Sequence, residues 1–134
     1  MRHIVVVEDD AHNAVLFRRL LEKRGPFRVT VTESAEEVLA LARSGDTALV
    51  MLDVSLANTT YEGRALNGVD LCRLLKADPA AARVPVVLAT AHAMRGDGER
   101  LLAESGADEY VAKPIVDHTA FVERLRTLCE REAA

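Results

Sequence analysis

The chain has 134 residues, 49% of them apolar and 28% charged, with 21 acidic against 17 basic side chains and a formal net charge of −4. This is the size of one ordinary domain, too apolar and too balanced in charge for a disordered chain, and its scattered Lys and Arg form no basic stripe for a nucleic acid backbone. No stretch approaches the ~18 apolar residues of a membrane span, and Met1-Arg2-His3-Ile4 does not open a secretory signal, so a cytoplasmic protein without membrane or nucleic acid partners is expected.

Strand-length apolar runs alternate with helix-period segments five times, the pattern of an α/β domain with a parallel sheet. The first strand covers residues 4–7. A helix over 11–24 follows, with apolar side chains at Val15, Leu16, Leu20 and Leu21, and Gly25-Pro26 stops it. The second strand, 27–32, alternates apolar and polar. Ser34-Ala-Glu-Glu37 then reads as a capping box that opens a helix closed at Gly45. The third strand is 48–52, and the third helix, 69–77, ends before Asp78-Pro79. The fourth strand is 84–90, and the fourth helix reaches Ser105 with Gly106 beyond it. The fifth strand is 110–112, and the fifth helix starts from an Asp117 cap with Phe121, Val122, Leu125, Leu128 and Cys129 on one face. Cys72 and Cys129 fall in helices without CxxC spacing, as free thiols.

Strands one, three and four are almost wholly apolar, as strands covered on both faces must be, whereas two and five carry edge character. Right-handed crossovers then favour a flavodoxin-like, doubly wound, five-stranded parallel sheet in the order 2-1-3-4-5 with five helices. Only Glu130 to Ala134 follow the last helix, so the reading is a single domain over 1–134 without an output domain.

The informative residues are polar ones at strand ends. Glu8, Asp9 and Asp10 follow the first strand, Asp53 the third; Thr90 closes the fourth and Lys113 the fifth. All the carboxyl ends of a parallel sheet share one edge, and ligands bind where strand order reverses. Carboxylates ~4 Å apart repel by about 1 kcal/mol in water and about 4 at an effective dielectric near 20. A hard cation with oxygen ligands, Mg²⁺ above others, relieves this, and Lys113 supplies a second positive charge. Nucleophile, metal and cation are the parts for phosphoryl transfer to a carboxylate.

Val5-Val-Val-Glu-Asp-Asp10, Met51-Leu-Asp53, Leu88-Ala-Thr90-Ala91 and Tyr110-Val-Ala-Lys113-Pro114 resemble the signature segments of the response regulator receiver domain, and the resemblance covers essentially the whole chain. It implies a two-component phosphorelay switch, not a turnover enzyme beyond its own phosphorylation and dephosphorylation. Asp53 would accept a phosphoryl group from a histidine kinase or a histidine phosphotransfer protein. Glu8 and Asp9 would be the acidic pair, with Asp9 on the metal, and Ser55 would offer it a backbone carbonyl. Lys113 would pair with the phosphoryl group, Thr90 would move to hydrogen-bond it, and Tyr110 would be the aromatic switch. A downstream protein effector is implied, and Lys113-Pro114 is usually cis in this family.

Two departures stand out. Receivers usually place a Pro four residues after the acceptor and a Gly about eight after it; here those positions hold Ala57 and Tyr61. The matching glycine is Gly68, so about seven residues within 56–67 are inserted. That loop is either a tolerated surface insertion or a contact for a partner or for phosphate access. The stretch from Thr90 to Lys113 is also one residue longer than usual, in a Gly96-Asp-Gly98 turn. Asp10 reads equally as a cap of the first helix or as a peripheral metal group, and His92 as a tuner of phosphoaspartate lifetime or a plain loop residue.

Other functions fit less well. A phosphatase of the haloacid dehalogenase type wants a second Asp two residues after the nucleophile, where this chain has Ser55. A flavodoxin-like cofactor binder wants free backbone donors after the first strand, and Glu8-Asp9-Asp10 would repel the phosphate of FMN. A degenerate receiver would have lost site residues that are all present here.

Overall fold

The computed structural model describes residues 2–25, 27–56, 59–91, 97–113 and 115–133. Its elements run β1 (Arg2–Val7), α1 (Ala11–Arg24), β2 (Phe27–Thr32), α2 (Ala35–Arg43), β3 (Thr47–Asp53), β4 (Thr60–Tyr61), β5 (Arg64–Ala65), α3 (Gly68–Ala77), β6 (Val86–Thr90), α4 (Asp97–Ser105), β7 (Glu109–Ala112) and α5 (His118–Ala133). The main sheet has the order β2-β1-β3-β6-β7, and every neighbouring pair in it is parallel. It matches the expected 2-1-3-4-5 order, with β6 and β7 as the fourth and fifth predicted strands. The central strands are buried on both faces, which is why they read as continuous apolar runs.

Successive residues of a strand point to opposite faces, and the core divides accordingly. On one side Val5, Val7, Val50, Leu52, Val86 and Leu88 pack with Val38 and Leu39 of α2 and Leu71 and Leu75 of α3. On the other, Ile4, Val6, Leu49, Met51, Val87 and Ala89 meet α1 and α5 through Phe17, Leu21, Phe121, Leu125 and Leu128. The fifth helix thus buries the face that its sequence marks, and Asp117 Oδ1 accepts from Ala120 N at 2.9 Å. Both cysteines are free and buried.

Four local expectations need correction. In α1 it is Phe17 and Leu21 that are buried, whereas Val15 and Leu16 are 48% and 51% exposed; the large ring at Phe17 takes the core position and turns Val15 to the far side of the helix. Ser34 Oγ does accept from Glu37 N, but the Ser34 N–H is already taken by Thr32 Oγ1, so the capping box is one-sided. Asp97 and Gly98 belong to α4 and not to a turn, and the missing reciprocal box lies instead at α3, between Asn67 and Asp70. The fourth strand also starts at Val86, later than expected.

The inserted segment holds an antiparallel hairpin, β4 against β5. Glu62 and Gly63 form its turn with φ of +51° and +79°, the left-handed pair that a two-residue hairpin turn requires. Leu66 N donates to Thr59 O at 2.9 Å across the base, and buried Thr59 anchors it by donating from Oγ1 to Glu33 O at 2.9 Å. Tyr61 packs against the α2–α3 core. Near the start of β1, buried His3 places Nε2 2.7 Å from Thr30 Oγ1 of the neighbouring β2; its Nδ1 is 3.3 Å from Asp46 Oδ2 without hydrogen-bond geometry.

Candidate functional site

Four strand ends build one pocket. After β1 the chain turns through Glu8 and Asp9 into the cap of α1; β3 ends on Asp53, β6 on Thr90, and β7 leads into Lys113. Because these strands are parallel, residues spread over a hundred positions meet at one edge. Glu8, Asp9 and Asp53 each bring a carboxylate oxygen to within 4.8 Å of the others. Lys113 Nζ lies 3.2 Å from Asp53 Oδ1 and 3.6 Å from Glu8 Oε2. The Lys113 N–H donates to Thr90 O at 2.8 Å, which fixes the lysine where it leaves the sheet.

Glu8 and Asp53 are 4% and 5% exposed. Burial, then the hydrogen bond to Asp53 and its charge, push the Glu8 carboxyl up to about 7; Lys113 and the Asp10 N–H act the other way. The cause is desolvation plus a like charge, and it means that the lysine alone does not neutralise the cluster. The donor set is all oxygen, carboxylates from two strand ends, and suits a hard divalent cation such as Mg²⁺ better than a soft one.

The remaining expected residues divide clearly. Asp10 is a cap: its Oδ1 accepts from His12 N at 2.9 Å and Asn13 N at 3.1 Å, and its own N–H donates to Glu8 Oε1 at 3.2 Å. Ser55 is exposed and donates its N–H to Asp53 Oδ1 at 3.0 Å, orienting that carboxylate. Thr90 is buried at the end of β6. Tyr110 stands opposite Leu88 on β7 and packs on the α2–α3 side of the sheet. Ala57, His92, Gly96 and Pro114, with the lifetime and cis-proline expectations, lie outside the described residues.

Gly68 is the residue whose role the sequence left undefined. Its N–H donates to Val54 O at 3.0 Å, and a Cβ there would stand 2.2 Å from Asp53 O. The first turn of α3 can therefore approach the backbone of Asp53 only because residue 68 has no side chain. An isolated glycine at the end of a long loop was the available signal.

Comparison with known proteins agrees with this geometry. The family model described as response regulator receiver domain matches residues 4–131. The chain is 34% identical over 114 residues to the polar-differentiation response regulator DivK of Brucella ovis, covering 85% of each protein, and 33% identical over 114 residues to that of Brucella anthropi. Among solved structures, the receiver domain of the sensor histidine kinase PA1611 from Pseudomonas aeruginosa, crystallised with a magnesium ion in its active-site cleft, is 25% identical with a TM-score of 0.78, over 96% of this chain and 98% of that one. A sensor protein from Polaromonas sp. JS666 superposes with a TM-score of 0.79 at 24% identity, over 98% of each chain, and shares the fold.

Proposed function

The chain belongs to the response regulator receiver domain family, and from that premise we propose that Asp53 accepts a phosphoryl group from the phosphohistidine of a histidine kinase or phosphotransfer protein. The observation that carries this is the convergence of Glu8, Asp9 and Asp53 with Lys113. An oxygen of the Asp53 carboxylate attacks phosphorus in line with the nitrogen; the O–P bond forms as the N–P bond breaks, and its electron pair returns to the imidazole. Ser55 N–H holds the Asp53 Oδ1 atom, leaving the other oxygen as the attacking one.

Glu8, Asp9 and Asp53, with the Ser55 carbonyl, are the groups that would hold Mg²⁺, which when bound neutralises charge on the transferring phosphoryl oxygens. Lys113 starts in contact with Asp53 and is placed to follow the negative charge onto the phosphoryl group. Thr90, at the end of the adjacent strand, offers the hydroxyl for a further oxygen. Covalent charge at Asp53 then shifts the equilibrium between two arrangements of the adjoining strand ends and helices, with Tyr110 as the visible reporter and a protein effector as the recipient. The protein's only catalysis in this scheme is of its own phosphorylation and dephosphorylation.

Incubation with Mg²⁺ and acetyl phosphate, read by intact mass, tests the assignment. Wild type gains one phosphoryl group and Asp53→Asn gains none; a gain retained in Asp53→Asn refutes Asp53 as acceptor.

A further inference from the structure

Gly98 lies in the first turn of α4, is buried, and is not among the glycines with positive φ, so its backbone conformation is one that any residue adopts. Glycine is also a poor helix former, second only to proline. Neither backbone geometry nor helix stability therefore accounts for it. The space around it does: a Cβ at position 98 would stand 1.9 Å from Cζ, 2.2 Å from Cε1 and 2.3 Å from the hydroxyl oxygen of Tyr110. The phenol occupies the volume that any side chain at 98 would fill.

Tyr110 stands on β7 opposite Leu88 and joins the same core cluster. Thr90 is two residues beyond Leu88 on β6 and so projects from the same face of the sheet. The ring is thus held between α4 and the strand pair that ends in Thr90 and Lys113.

We propose that Gly98 is the positioning residue for Tyr110, a side-chain-free notch on α4 that seats the phenol and makes the ring's place depend on where α4 lies. This goes beyond the assignment of Tyr110 as a switch, because it names what the ring docks against and which residue permits it. The notch itself follows from the packing alone; its link to signalling rests on Asp53 being the phosphoacceptor. Any substitution at 98 meets the far end of a flexible side chain, so the ring, not the backbone, gives way.

The chain has two tyrosines, Tyr61 and Tyr110, and no tryptophan, so 3-fluorotyrosine labelling gives two ¹⁹F resonances, assigned with Tyr61→Phe. In Gly98→Ala the Tyr110 resonance is expected to be displaced before any phosphorylation while that of Tyr61 stays in place. Its further movement on adding Mg²⁺ and acetyl phosphate is expected to shrink at least threefold relative to wild type. A Tyr110 resonance coincident with wild type in both states overturns the proposal. A thermal-midpoint cycle gives an independent reading: Gly98→Ala lowers the midpoint in the wild-type background and raises it in Tyr110→Ala, where the notch is empty and alanine is the better helix residue. A rise in both backgrounds overturns the notch. Intact mass on the same samples reports Asp53 separately, so failure of the phosphoacceptor reading is told apart from failure of the seat.

Discussion

Replacing Glu8 by Gln should stabilise the protein in the absence of divalent metal. The Glu8 carboxyl, pushed from 4.5 up to about 7 mainly by burial and then by Asp53, is more easily protonated in the folded than in the unfolded chain. Such a raised acid contributes stability that is fully present below pH 4.5 and is lost as pH rises through about 7. The gap between 4.5 and about 7, at about 1.4 kcal/mol per pH unit, is a penalty of about 3 kcal/mol at pH 8. The attraction to Lys113 is already contained in that value; Gln keeps an oxygen for the Asp10 N–H and can donate to Asp53, but it brings a second amide N–H that the neutral carboxyl lacks, and leaving it unpaired costs about 1 kcal/mol. The net gain expected is about 2 kcal/mol, on the order of 1 M in urea midpoint for an m-value of about 2 kcal/mol/M. Urea unfolding in EDTA, followed by far-UV circular dichroism at pH 8 and pH 4.5, measures it: a clear gain at the first pH and almost none at the second. Saturating Mg²⁺ should reverse the order, since ligand at ~100 times Kd stabilises the folded form by about 2.7 kcal/mol and the variant binds it less well. A Gln variant that is less stable at pH 8 in EDTA, or equally stabilised at both pH values, would refute the account of the pocket as electrostatically strained.

Two further outcomes are expected. Gly68→Ala forces a Cβ against Asp53 O and should cost about 1–3 kcal/mol in urea unfolding despite alanine's better helix propensity; an unchanged or raised midpoint would contradict the close approach of α3. His3 has its pKa held below 6.5, first by burial and then by the Arg28 charge, with Asp46 opposing. Its contribution is complete above pH 6.5 and is lost as pH falls below that value, because the unfolded chain then takes up the proton first. Between pH 7 and pH 5.5 this opposes the gain from Glu8, so His3→Gln should shift the change in urea midpoint over that interval in the stabilising direction relative to wild type, and an unaltered change would exclude His3 as a titrating group.

Much of this molecule was legible because two signals reinforced each other. Continuous apolar runs marked the central strands, and the residues that broke those runs, Glu8, Asp53 and Thr90, are those proposed for the site; parallel topology did the rest by putting all the strand ends on one edge. What escaped was set by three-dimensional competition. Periodicity nominated Val15 and Leu16 for the core of α1, yet Phe17, one position on, fills the gap against Phe121 and leaves both outside. The Ser34 box failed on its reciprocal half because Thr32, at the end of β2, reached the Ser34 N–H first. Glu62-Gly63 was a readable turn, but strands of two residues carry too little pattern to announce a hairpin. Gly98 looked like a loop residue because the space it leaves is filled from β7, twelve positions away.

The hairpin bears on how this scaffold tolerates change. Thr59 and Leu66 are already joined backbone to backbone, and Thr59 is pinned to the loop before α2. The six residues between them form a hairpin held at its root and through Tyr61, while its tip, at Glu62-Gly63, is exposed. Inserting a short epitope or a fluorophore-binding tag at that tip should leave the carboxylate pocket undisturbed, which makes it a convenient attachment point for following the protein in cells.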